Sequence, residues 1–318
     1  MKRLVLISGL VASSLMAETM CLNSVVSSED EQANNTFLAD ASRCVNAYDV
    51  TTSGSAVSIS TKIAGDDFKL HIFRKPECKI SNVKASLVNK SDLSLVADSE
   101  GGVVADEASF NVKKANRDLL VKITYDKLKA VSCTLPHDVS SAGVCYSKDE
   151  TKTEYSTDDF AIRPNAFSIN LKKSKVKEGT IDYATIKALQ KDGASVVDNY
   201  TNSSMNLDVK DINAEGVQYT FEINNGLSNK AQFMFLKPTD SNKVVITDKH
   251  YADVDSDDTI ADCREFSGES NEVEVVESSK YWAGTGTNEA ENNPETTTIQ
   301  SKIKQNTKKD LHFQKMGW

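Results

Sequence analysis

Val217-Gln-Tyr-Thr-Phe-Glu-Ile223 sets Val217, Tyr219, Phe221 and Ile223 against Gln218, Thr220 and Glu222. Strict alternation of this kind is the signature of a β-strand with one face on a core and the other in water. The same period returns in both directions along the chain. Phe68, Leu70 and Ile72 alternate with Lys69 and His71, and Val121, Ile123 and Tyr125 with Lys122 and Thr124. Phe167, Ile169 and Leu171 form another run, as do Met205, Leu207 and Val209. Turn formers separate the runs: Ala64-Gly65-Asp66-Asp67, Lys191-Asp192-Gly193 and Asn224-Asn225-Gly226. Helical periodicity is scarce. Residues 24–48 have room for one short helix, and Ile181–Gln190, with Ala184, Ile186 and Ala188 in alternate places, suits a strand. Many short strands between turns predict a mainly β chain built of sandwiches, not a parallel α/β sheet.

The chain opens on Met1-Lys2-Arg3 and runs through an apolar stretch, Leu4–Met16. A short cationic region ahead of about a dozen apolar residues reads as a secretory signal peptide. The stretch falls short of the ~20 apolar residues that a membrane-spanning helix needs. Ala17 suits the residue before a cleavage point, although Leu15 is larger than the small residue preferred two places earlier. Cys21 follows closely, but Glu18-Thr19-Met20 is not the small, apolar approach that lipid attachment requires. The chain carries 37 Lys and Arg against 46 Asp and Glu, a net charge of −9 that becomes −11 once Lys2 and Arg3 are removed. That balance argues against nucleic acid as a partner, because phosphate binding needs a cationic face.

Six cysteines, at 21, 44, 78, 133, 145 and 263, all follow the leader. In an exported chain an even number predicts disulfides, and the lack of a C-x-x-C pair disfavours zinc ribbons and thioredoxin-like redox sites. Cys78 and Cys133 flank predicted strands; a bridge between them closes a loop of about 55 residues and stabilises by about 4 kcal/mol. A local Cys133–Cys145 bridge and a Cys21–Cys44 staple are the alternatives.

The pattern divides the chain into a signal peptide (1–17), an N-terminal segment (18–50), a first β-sandwich module (51–163), a second immunoglobulin-like β module (164–250) and an acidic, loop-rich C-terminal region (251–318) that has room to belong to an incomplete module. Glu289-Ala-Glu-Asn-Asn-Pro-Glu-Thr-Thr-Thr298 reads as linker, and residues 302–318 turn basic.

Two segments carry a resemblance. Ser60-Thr-Lys-Ile-Ala-Gly-Asp-Asp-Phe-Lys-Leu70 and Ser156-Thr-Asp-Asp-Phe-Ala-Ile-Arg-Pro-Asn-Ala-Phe167 resemble signatures of large exported bacterial proteins related to the pilus-biogenesis protein MshQ. Ala115-Asn-Arg-Asp-Leu-Leu-Val-Lys-Ile-Thr124 resembles the strand ahead of the second signature, and the likeness spans residues 57–250. It implies tandem immunoglobulin-like modules on a cell-envelope or surface protein linked to adhesion or type IV pili, and it brings no catalytic residues. Relatives commonly carry a cysteine where this chain has Tyr155, with Cys145 the nearest here. Read physically, Pro164 ends the Phe160-Ile162 alternation and forces Arg163 into extended backbone, as expected where one module passes the chain to the next. Arg163 either pairs with an acidic group there or is solvated. The run Val197-Asp-Asn-Tyr-Thr201 resembles bacterial immunoglobulin-like surface modules.

Few constellations suggest chemistry. Asp253, Asp255 and Asp257 place carboxylates at alternate positions, as a Ca²⁺ loop would. Asp258 and Arg264 stand where an EF-hand needs Gly and Glu, which leaves a simpler Ca²⁺ loop or a solvated acidic loop. His71, His137, His250 and His312 are far apart, without H-E-x-x-H, G-x-S-x-G, Walker or G-x-G-x-x-G patterns; His71 sits on the polar face of its strand. Tyr281-Trp282 beside Gly284 and Gly286 could stack on a sugar or pack in a turn. The expectation is therefore a non-enzymatic, exported structural or adhesive protein without a resident cofactor other than a possible Ca²⁺ ion. Its partners would be envelope proteins, pilus components or glycans. A carbohydrate- or Ca²⁺-dependent binding module is the alternative, and a secreted hydrolase a more distant one.

Overall fold

The computed structural model describes residues 43–50, 54, 56–134, 142–249, 251 and 265–277. The expectations placed on the signal peptide, Cys21, Cys263, Asp253, Asp255, Asp257, His137, His250, His312 and Tyr281-Trp282 lie outside the described residues. What is described is almost wholly β, and it forms two modules in tandem.

The first module holds β1 (Val45–Val50), β2 (Ala56–Val57), β3 (Lys62–Ile63), β4 (Asp67–Arg74), β5 (Ile80–Asn89), β6 (Leu95–Val104), β7 (Glu107–Asn111), β8 (Asn116–Thr134), β9 (Ala142–Tyr155) and β10 (Phe160–Arg163). They pair in the order β2-β1-β4-β7-β6-β5-β8-β10-β3, with β9 on β8. The sheet folds back on itself at β6. Its residues Glu100–Gly102 pair with β5, whereas Val103 and Val104 pair with β7. Gly101 stands at this corner, where a Cβ would come within 2.9 Å of the Ser109 carbonyl, so the bend needs a residue without a side chain. Leu70 and Ile72 from one layer and Leu87, Val121 and Ile123 from the other are buried together. Beyond Lys127 the β8–β9 pair continues without β5, and there Val144 and Tyr146 are exposed.

The second module holds β11 (Ala166–Leu171), β12 (Lys175–Lys177), β13 (Ile181–Leu189), β14 (Asn202–Ser203), β15 (Asp208–Asp211), β16 (Val217–Thr220), β17 (Glu222–Ile223), β18 (Leu227–Phe235), β19 (Thr239–Asn242), β20 (Val244–Asp248), β21 (Phe266–Glu269) and β22 (Val273–Val276). One sheet runs β11-β13-β18-β16; facing strands pair as β15-β20-β21 and β12-β22-β19, and β14 pairs with β17. The chain therefore begins in the four-stranded sheet at β11 and crosses to the other at β12, which lies parallel to the last strand, β22. A four-stranded sheet packed against the β15-β20-β21 and β12-β22-β19 strands makes a β-sandwich of the immunoglobulin-like kind. Gly268 lets β21 press against β11, since a Cβ there would fall 1.9 Å from the Phe167 carbonyl. Phe167 and Phe266 then meet in a tilted pair with ring centres 4.6 Å apart.

Several sequence boundaries move. Val45–Val50 is a strand paired with β4, so the first module begins before residue 51 and this part of 24–48 is not helical. Phe266–Glu269 and Val273–Val276 complete the second module, which reaches past residue 250 into the stretch expected to be loop-rich. Met205 is not on a core face: Ser204–Asn206 forms a short 3₁₀ turn and Met205 is 83% exposed. Cys78 is bonded to Cys44, with Cα atoms 5.7 Å apart, which overturns both the Cys78–Cys133 bridge and the Cys21–Cys44 staple. The reason is the β1–β4 register, which sets Val45 opposite Arg74 and so brings Cys44 beside the loop that carries Cys78. Cys145 is also disulfide-bonded.

Candidate functional site

Both signature segments meet at the boundary between the modules. Strand β3, from the first signature, lies parallel to β10, from the second, with Lys62 opposite Ile162 and Ile63 opposite Arg163. The first signature then turns. Ala64 N donates to Arg163 O at 2.8 Å, and the Ala64 carbonyl accepts from Lys191 N of the second module at 2.9 Å. Gly65 has φ +80°, and a Cβ there would lie 2.7 Å from Gln190 Oε1; the position therefore requires glycine for both backbone and space.

Three charged members of the signatures, Lys62, Asp158 and Arg163, are held inside. Lys62 Nζ lies 2.5 Å from Asp49 Oδ2, with both side chains largely buried. The same oxygen accepts from Ser60 N and Ser60 Oγ at 2.9 Å, and Lys62 sits over the Phe68 ring. Asp158 Oδ2 accepts from Ile59 N at 2.5 Å, and Ser156 Oγ accepts from Val121 N and donates to Asp158 O. Arg163 is buried, not solvated; its Nη1 donates to the carbonyls of Pro164 at 2.8 Å and Asn165 at 3.4 Å, clamping the connecting backbone.

A second seam joins Ala115 to Asn199. Ala115 N donates to Asn199 Oδ1 at 2.9 Å, and Asn199 Nδ2 donates to Ala115 O at 2.6 Å. Next to Asn199, Tyr200 plunges into the second module and donates from its hydroxyl to the buried Asp248 Oδ2 at 2.7 Å. Asn202 Nδ2 donates to both groups. Burial, reinforced by Asp248, pushes the Tyr200 phenol far above its usual value. Tyr251 is buried as well, which raises its pKa, and the Arg117 guanidinium lies 5.3 Å from its ring centre.

Between this seam and β17 lies a cleft of about 660 Å³. One wall is Asn116 and Arg117 of the first module; the other is formed by residues 199–203, Asn206, Glu222, Asn224 and Tyr251 of the second. Its size falls within the ~300–1,000 Å³ of small-molecule sites. Sequence reasoning named Thr201, Glu222 and Asn224 only as parts of a strand, a turn and a module motif, and did not join them into a site, since the lining comes from four separate stretches. The available hint was the run of Asn and Thr around Val197-Asp-Asn-Tyr-Thr201.

His71 is half-buried beside Tyr48, with Nε2 3.9 Å from Glu107. Among the described residues no three His, Cys, Asp or Glu side chains are grouped to hold a metal ion, and no helix is long and apolar enough to cross a membrane.

No protein-family model matches the chain, and no curated protein does. Solved structures resemble it in fold. Fibronectin(III)-like modules of Clostridium thermocellum CbhA are 12% identical at TM-score 0.22, covering 74% of this chain and 96% of that one. Murine CEACAM1b is 9% identical at 0.25, covering 69% and 98%. Domains 4 and 5 of the S-layer protein SbsC are 12% identical at 0.21, covering 73% and 97%. Scores this small carry no conclusion about function.

Proposed function

We propose that the chain is an exported cell-envelope or surface protein of the MshQ-like kind, structural and adhesive in role and associated with a type IV pilus system. One observation carries this reading: the two segments that bear the resemblance are spent on fastening one β module to the next. Such a junction fixes the spacing and direction of loops. Its buried Lys62, Asp49 and Asp158 are consumed by hydrogen bonds inside the first module, and Arg163 by the backbone that leads into the second, which suits a scaffold better than a reaction centre. The Cys44–Cys78 bridge and the bonded Cys145 support export, because disulfides persist in oxidising compartments. The mechanism is loop presentation on joined sandwiches, with no covalent chemistry, toward envelope proteins, pilus components or glycans.

The test is deletion of the coding region in the producing cell, combined with protease shaving of intact cells. The expected result is loss of attachment or of assembled pili, and removal of the protein by external protease in the parent. Full attachment and piliation in the deletion strain, with the protein protected inside the cytoplasm, would overturn the reading.

A further inference from the structure

We propose that the cleft between the two modules is a binding site for a neutral saccharide. The first argument is charge. Among the described residues that line it, the charged side chains are Arg117 and Glu222, one of each sign. A phosphorylated, sulfated or strongly basic ligand would find no matching net charge there. The second argument is polarity. Ala115 and the flanks of two tyrosines are the apolar part of the lining; the rest is amide, hydroxyl, carboxylate and guanidinium. A lipid or drug-like apolar ligand is poorly served by such walls.

The third argument is unused hydrogen-bonding capacity. Asn199 is engaged with Ala115 in the seam, and Asn202 with Tyr200, Asp248, Ser203 and Asn206 inside the second module. In contrast, the side chains of Asn116, Thr201, Glu222 and Asn224 make no hydrogen bond among the described residues, and Thr201, Glu222 and Asn224 are exposed. An amide offers donor and acceptor side by side, and a carboxylate offers two acceptors. Each therefore matches a pair of adjacent hydroxyls, the repeating feature of a sugar ring. The fourth argument is the floor. Arg117 covers the Tyr251 ring at 5.3 Å from an exposed position on the opposite module. The Tyr251 ring beneath is itself buried, so what the floor presents to a ligand is the guanidinium, a fork of donors for hydroxyl oxygens. The locked seam beneath keeps both walls at fixed separation, so little ordering is needed on binding.

The assignment deepens the adhesive reading by naming a ligand class and a place, and rests on it for the setting in which the ligand is met. The experiment uses the full exported chain on an array of immobilised neutral glycans, with sialylated and sulfated glycans on the same surface. Three variants accompany it: Glu222→Gln, Asn224→Ala and the remote, exposed Lys230→Ala. The expected result is retention of at least one neutral glycan, weakened by about tenfold or more in Glu222→Gln and Asn224→Ala, as the loss of a hydrogen bond to a charged group or amide implies. Lys230→Ala should bind as the parent does, and all melting temperatures should stay the same. An array without neutral-glycan binding, binding of acidic glycans alone, or binding unchanged in both cleft variants would each overturn the site. A blank array on a chain still exposed on cells would remove the site and leave the structural reading standing, whereas glycan binding by a cytoplasmic chain would do the reverse.

Discussion

Asn199 and Ala115 are 84 residues apart in sequence and exchange two hydrogen bonds across the module boundary, at 2.9 Å and 2.6 Å. The amide side chain mimics a backbone partner and satisfies both polar groups of a buried residue. This is a lock between rigid bodies, since the partner of a side chain on one module is the main chain of the other.

Replacing Asn199 by Ala leaves the Ala115 N–H and C=O without their partner, at a cost of about 1–3 kcal/mol. The loss should fall on the joint and not on either core. Calorimetry of the parent should show one shared unfolding transition, and Asn199→Ala should split or broaden it. A single transition of unchanged midpoint would show that the seam couples nothing.

Asp49 holds Lys62 in a nearly dry pocket. Asp49→Ala strands that ammonium and should cost about 3–5 kcal/mol, the range for breaking one side of a buried pair. Removing both charges with Asp49→Ala and Lys62→Met should recover much of the loss, which urea unfolding of the single and double variants checks.

Cys44 and Cys78 close a loop with a sequence separation of 34. In the loop-entropy description that bridge stabilises by about 4 kcal/mol. The Cys44→Ala, Cys78→Ala double variant should melt well below the parent, by roughly 2–4 °C for each kcal/mol. The parent in strong reductant, which also opens the bond at Cys145, should drop at least as far.

Asp126 accepts from Asn82 and Thr151 and lies 2.7 Å from Lys148. These contacts, Asn82 first, hold its pKa down at about 2. A carboxyl whose folded value lies below its unfolded one stabilises fully above the unfolded value, ~3.9. The contribution fades as pH falls from about 4 to about 2. The urea midpoint should therefore decline through that window in the parent, and less steeply in Asp126→Asn.

Much of the fold was legible because alternation is local. Val121, Ile123 and Tyr125, Phe167, Ile169 and Leu171, and the Ile181–Leu189 strand all bury the faces their spacing predicts. Where reading failed, the deciding contact was distant. Cys78 found Cys44 because of a β1–β4 register that no spacing announces. Met205 breaks its apparent alternation because a 3₁₀ turn intervenes. Val273 and Val275 do alternate with Glu272 and Glu274, but the acidic surroundings masked a strand whose charged face is exposed at Glu272 and paired with Lys175 at Glu274. The cleft was hinted at only by the Asn and Thr around Tyr200, because its walls are set by the junction and not by any one motif.

The central claim is an exported, disulfide-bonded pair of β modules. A non-reducing peptide map of the protein recovered from the envelope fraction tests it most directly. The account predicts a first residue near Glu18 and a linked Cys44–Cys78 peptide. An intact Met1, with Cys44 and Cys78 both recovered as free thiols, would contradict it.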